Sequence, residues 1–342
     1  MDQLEPHNTK KTLSINEART KINLLVKPIG DRIRNIYSNM EHVESEIAKS
    51  DAEAEILKSK LHIMKSKLVP VKLAFPRTVC TNEKCKIRKP GASGGTHKKY
   101  KVCDRKCLCG FIGGDEVGDK RLLLCWAFNM HGECKNCICS YSKHMRIYYK
   151  QKIIYVRLID EDIKKKIENC KTNKEGNQIL LERLNKEIKE YELELKTITN
   201  ICCRFAAFMK QSALVPYNDS LLSYIDFHIS EEKNPTIKKG LQHTKEEYAK
   251  FVETLKNATR ENEIQLDEIP ILLNKLYSLK HSGPDLKKCV DLAEEALAAE
   301  SSFNIIFVNP AAIAFKMGKQ FKKLKLSRIT NYVTSLFTTE RK

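Results

Sequence analysis

Nine of the chain's thirteen cysteines stand between Cys80 and Cys139, and His144 follows close behind. Thiolates at short fixed spacing, closed by a histidine, can surround a zinc ion with four donors. The binding free energy then substitutes for a missing apolar core. The pattern is Cys80-x4-Cys85, then Cys103-x3-Cys107-x-Cys109, then Cys125, then Cys134-x2-Cys137-x-Cys139-x4-His144. Four donors complete one structural site, so this set predicts two zinc ions with donors to spare. Grouping by proximity in sequence gives Cys80, Cys85, Cys103 and Cys107 for the first ion. It gives Cys134, Cys137 and His144 for the second, with Cys125 or Cys139 as the fourth ligand. The spacing also admits a cross-braced pairing. An excess of donors points to closed structural sites, because a catalytic zinc keeps one position open for water. His97 and His131 lack ligand spacing and read as loop histidines.

Metal ligation is preferred to disulfides here because the chain reads as a cytoplasmic, soluble protein. It starts with the polar run Met1-Asp2-Gln3-Leu4-Glu5 and holds no stretch of eighteen apolar residues. A reducing compartment keeps clustered thiols free for metal.

Apolar residues on both sides of the cluster recur in steps of three and four. The first series runs from Ile15 through Ile22, Ile29, Ile36 and Val43 to Met64 and Leu68. The second runs from Ile163 through Leu184, Ile188 and Leu195 to Met209. Heptads sustained this long predict coiled-coil helices. Pro28 and Gly30 predict a kink or break in the first, and Lys174 and Asn177, beside Gly176, interrupt the second with polar residues. The expected fold is therefore mainly α: a long antiparallel coiled-coil hairpin with a small β-containing zinc module at its tip, followed by short helices. Residues 1–13 are expected to be disordered, 14–70 to form the first coiled-coil helix, and 71–156 the cysteine-rich module. The second coiled-coil helix would span 157–212, a helical region 213–305, and a basic tail 306–342.

The formal net charge is +18, and residues 76–150 alone carry sixteen basic against six acidic side chains. The loop 84–106 holds much of this excess and suits phosphate contacts, although Tyr100 is its one stacking aromatic. The tail adds Lys316, Lys319, Lys322, Lys323, Lys325 and Arg328 among apolar residues, a pattern that suits anionic lipid or nucleic acid. The predicted partners are thus a protein or a second copy through the coiled coil, with nucleic acid or anionic lipid through the basic segments.

No catalytic arrangement emerges. Gly91 to Lys98 lacks the spacing of a phosphate loop. His131-Gly132-Glu133 ahead of Cys134-x2-Cys137 lacks the helix and strand that separate the two halves of a zinc-deaminase site. A ubiquitin-ligase module fits poorly, since Cys80-x4-Cys85 is not the usual opening knuckle. The chain reads as a non-enzyme that binds no nucleotide.

Several stretches carry a family resemblance. They are Pro76-Arg77-Thr78-Val79-Cys80-Thr81, Cys103-x3-Cys107, Cys125-Trp126-Ala127-Phe128, Cys134-x2-Cys137 and His144-Met145, with Phe205-Ala206-Ala207-Phe208 downstream. Together they resemble the cysteine-rich region that follows the G domain in AIG-type and septin-like P-loop GTPase proteins. The resemblance covers roughly residues 12–232 and implies a domain without a known activity. No G domain is present to carry nucleotide binding. Asp104 and Cys139 stand where the resemblance leads us to expect histidines. The first exchange implies that position 104 is not essential, and the second preserves a ligand.

Overall fold

The structure is a computed structural model and describes residues 9–50, 63–90, 96–107, 117–159, 161–212, 220–254 and 264–302. It is mainly helical, with a small three-stranded antiparallel sheet. The helices are α1 (Thr9–Ser50), α2 (Glu161–Glu168), α3 (Asn173–Gln211), α4 (Ser220–Glu231), α5 (Pro235–Thr254), α6 (Glu268–Tyr277) and α7 (Gly283–Ser302). The strands are β1 (Met64–Cys80), β2 (Ile87–Pro90), β3 (Thr96–Lys99), β4 (Lys101–Asp104) and β5 (His144–Arg157). The sheet has the order β4-β1-β5, and β2 and β3 form a separate antiparallel ribbon. No helix among the described residues is long and apolar enough to cross a membrane.

Contacts divide the chain into two units. The helical unit holds α1 to α6 and most of α7, and it is organised on α1, which packs against α3, α4 and α5. Helices α1 and α3 run antiparallel. Arg19 near the start of α1 donates to the Ser212 carbonyl at the end of α3, and Val43 near the end of α1 shares an apolar cluster with Leu180 and Leu184. The expected seam residues Ile22, Ile29, Ile33, Ile36 and Val43 are buried, but so are Leu24, Leu25, Lys27 and Arg32 off the seam. A two-stranded coil would leave those faces in water. Burial all round marks the central helix of a bundle.

Three expectations about the rods need correction. The first rod does not extend to residue 70, because Met64 to Leu68 already belong to β1. Pro70 disfavours helical backbone at Val69, and Ser66 is claimed by a tertiary partner. The buried Asn39 accepts from the Ser66 N–H at 3.0 Å and donates to its carbonyl at 2.9 Å, so a helix side chain pairs with this strand residue's peptide groups. Second, the first helix is not broken at Pro28, because α1 runs through it. Gly30 serves packing there, since a Cβ would stand 2.6 Å from the Tyr224 ring of α4. Third, the second rod starts at Glu161 and is broken between Glu168 and Asn173, ahead of Gly176. The cause is local: Thr172 accepts from the Glu175 N–H, and the Glu175 carboxylate accepts from the Lys171 N–H. This Thr-x-x-Glu start signal outweighs the apolar period. Of the expected disordered start, residues 9–13 instead form the first part of α1 and residues 1–8 lie outside the described residues, as does the whole basic tail.

Several buried charges among the described residues of this unit are paired. Glu187, fully buried on α3, meets Lys65 and, at 2.6 Å, Arg183. Burial pushes its carboxyl up, but the hydrogen bonds and charges of Lys65 and Arg183 outweigh this and hold it at about 2, below the ordinary 4.5. A carboxylate depressed in the folded state contributes stability that is complete above about pH 4.5 and is lost as pH falls toward 2. Glu187→Gln should therefore cost about 3 kcal/mol at neutral pH and flatten the acid limb of stability below pH 4.5. Urea midpoints measured from pH 7 to pH 2.5 would check this, and parallel curves for both proteins would contradict it.

Candidate metal centre

The second unit comprises the described parts of Ala74–Ile112 and Glu116–Tyr148, together with the end of α7. Its principal core cluster is itself rich in sulfur. Cys80, Cys103, Cys107, Cys125 and Cys134 are buried there beside Leu122, Leu124, Ala127 and Phe128.

Each donor is placed by a specific local device. Cys80 is the last residue of β1, and Cys85 ends a 3-10 turn, Glu83–Cys85, capped by the Asn82 side chain. Thr78 pairs with Asp104 and Val79 with Val102, so Cys103 is the extra residue of a β-bulge. A bulge re-aims side chains without ending the ladder. Cys134, Cys137 and Cys139 sit on one tight loop, in which the Cys134 N–H donates to the Cys139 carbonyl and the Ile138 N–H to the Cys134 carbonyl. Ile138 adopts a positive φ of 63°, which turns the chain sharply between Cys137 and Cys139. His144 opens β5. Its Nδ1 donates to the Ser140 carbonyl at 2.8 Å, which fixes the tautomer and leaves the Nε2 lone pair facing Cys137 at 3.2 Å.

These devices assemble two four-donor sets. Cys80, Cys85, Cys137 and Cys139 bring their sulfurs within 4.8 Å of one another, and Cys103, Cys134, Cys137 and His144 do the same with Nε2. Zinc–sulfur bonds of about 2.3 Å in a tetrahedron put sulfurs roughly 3.8 Å apart, so both sets are of a size to close on an ion. All cysteines in the two sets are free thiols. A third group, Asp104, Cys107 and Cys125, has three donors. Here Cys125 donates to Asp104 at 3.2 Å and lies 3.3 Å from the Thr78 hydroxyl.

The grouping by sequence proximity is thus replaced by an interleaved one. Cys80 and Cys85 join Cys137 and Cys139, while Cys103 joins Cys134 and His144. Cys107 and Cys125 leave both proposed quartets for the company of Asp104. The bulge at Cys103 causes the exchange, since it presents this sulfur to the Cys134 loop. Asp104, expected to be dispensable, stands in a donor group. The spacing Asp104-x2-Cys107 was the available signal. His131 is exposed, and Cys109 lies outside the described residues.

Sulfurs this close cannot all be charged on their own. Cys103 is pushed far up by its hydrogen bond to Cys134 and by burial, while Cys134 is held at about 3 by Cys103 and also by His144. Burial pushes Cys137 up to about 11. A divalent cation would resolve the conflict, because each thiol could then ionise against it.

The acidic group Glu187, Glu190 and His281 in the helical unit has a different explanation. Lys65, Arg183 and Lys280 already neutralise it.

Residues 72–150 match a protein family described as a domain of unknown function (DUF8206). The matched stretch contains every donor of the three cysteine-bearing groups. No curated protein and no solved structure matches the chain.

Proposed function

We propose that this chain is a non-enzymatic scaffold in which two structural zinc ions fix the Cys80–His144 module, and that the antiparallel α1 and α3 pair forms the core of its helical part. The observation that carries this reading is the pair of four-donor sets. Each has the donor count of a closed site, with no position reserved for water. Thiolate donors with one imidazole suit zinc better than harder cations.

An interaction role is supported by what the metal-bearing loops present. Ile138 is 81% exposed although its backbone is tightly held, and Trp126 and Met130 are about half exposed. Apolar side chains on ordered loops suit a protein surface, here a second copy of the chain or a relative carrying a G domain. Metal analysis combined with light scattering over a concentration series tests the reading. Two zinc ions per chain are expected, with a mass that rises with concentration and stops rising in Ile138→Ser and Trp126→Ala at unchanged zinc content. A folded, metal-free chain would remove the zinc component. A strict monomer that captures no G-domain relative would remove the scaffold component.

A second reading, nucleic-acid binding, is favoured by charge. Lys84, Arg105, Lys106, Lys120, Lys135 and Lys143 are exposed in this unit, against exposed Glu83 and Glu133 among its described residues. Salt-dependent binding to RNA or DNA would support it, and no binding at physiological ionic strength would remove it.

A further inference from the structure

Cys137 belongs to both four-donor sets. The two sets together contain seven donors, and each of the other six belongs to one set only. The position of Cys137 follows from the loop that carries it. Cys134, three residues before it, turns to the histidine set; Cys139, two residues after it and beyond the positive-φ Ile138, turns to the all-sulfur set. Cys137 lies between, 3.2 Å from His144 Nε2 on one side and with its sulfur within 4.8 Å of those of Cys80 and Cys134. Of the donor types present, a thiolate sulfur has lone pairs enough for two ions, whereas an imidazole Nε2 has one.

We propose that Cys137 is a bridging thiolate in a two-metal centre. One ion is held by Cys80, Cys85, Cys139 and Cys137; the other is held by Cys103, Cys134, His144 and the same sulfur. This rests on the metal-binding reading above and goes beyond it, because the two sites become one coupled unit. Six thiolates against two divalent ions leave two negative charges. Lys101 donates to the carbonyl of Asn136, the residue next to Cys137, and so brings an ammonium to the loop that carries the shared ligand.

Cadmium-113 substitution of the full chain tests the bridge through spin coupling. Two resonances that split each other through the shared sulfur are expected. Cobalt(II) loading should likewise give a magnetic moment below that of two independent high-spin ions. Cys85→Ser and Cys134→Ser should each retain one ion, whereas Cys137→Ser should lose both at chelator concentrations that spare the ion retained by the other two variants. Should a variant fail to fold, the cadmium spectrum of the unaltered chain still decides. Two uncoupled cadmium resonances, or one bound ion, would overturn the bridge and leave metal binding standing. A chain that binds no cadmium or zinc would overturn both.

Discussion

Stripping the metal is expected to unfold the cysteine module while the helical unit keeps most of its structure. Apparent binding free energies of structural zinc sites run to about 10–16 kcal/mol per ion, comparable with the whole stability of an ordinary domain. The apolar part of the module's main cluster, by contrast, is essentially Leu122, Leu124, Ala127 and Phe128, with cysteines making up the rest. Two probes separate the units. Trp126 is the chain's one tryptophan and lies in the module, whereas far-UV circular dichroism is dominated by the helices. A strong chelator should red-shift Trp126 emission and open the Cys80–His144 region to protease, with most helical signal retained and zinc restoring the starting state. A module that resists both chelator and protease would remove the metal from the account.

The second large effect is expected at Arg32. This arginine on α1 is 2% exposed; it donates to the Leu68 carbonyl of β1 and lies 3.4 Å from Asp285 on α7. Arg32→Ala would leave Asp285, itself buried, with Lys67 at 3.5 Å on the solvent side. Removing one member of a buried pair costs about 3–5 kcal/mol, chiefly because the surviving charge loses its compensation. Urea denaturation should show a loss of about 4 kcal/mol for Arg32→Ala, and Arg32→Met with Asp285→Leu should recover most of it. A single-variant loss below about 1 kcal/mol would show that Lys67 and water suffice.

The sequence carried the donor inventory because ligand chemistry needs particular side chains at short spacing. It did not carry the pairing. That depends on Cys103 falling at a β-bulge and on Ile138 reversing the chain, and neither residue type announces such a backbone. The helices were legible for the same reason that heptads are, and their limits were not. Met64 and Leu68 continue an apolar period by position, yet Asn39 and Glu187 capture Ser66 and Lys65 in an extended segment. The break before α3 was readable in Thr172-x-x-Glu175, a local signal masked by the longer periodic one.

The clamp between Asn39 and Ser66 also bears on how β1 finds its alignment. A strand that slips by one residue turns every side chain to the opposite face. Here a slip would offer the Asn39 amide the peptide of a lysine, Lys65 or Lys67, in place of Ser66, whose hydroxyl also bonds to Asn39. It would also draw Lys65 away from Glu187. The alignment of β1 at this end is thus set in part by a helix side chain that belongs to no sheet, beside the Leu158 N–H bond to the Ile63 carbonyl.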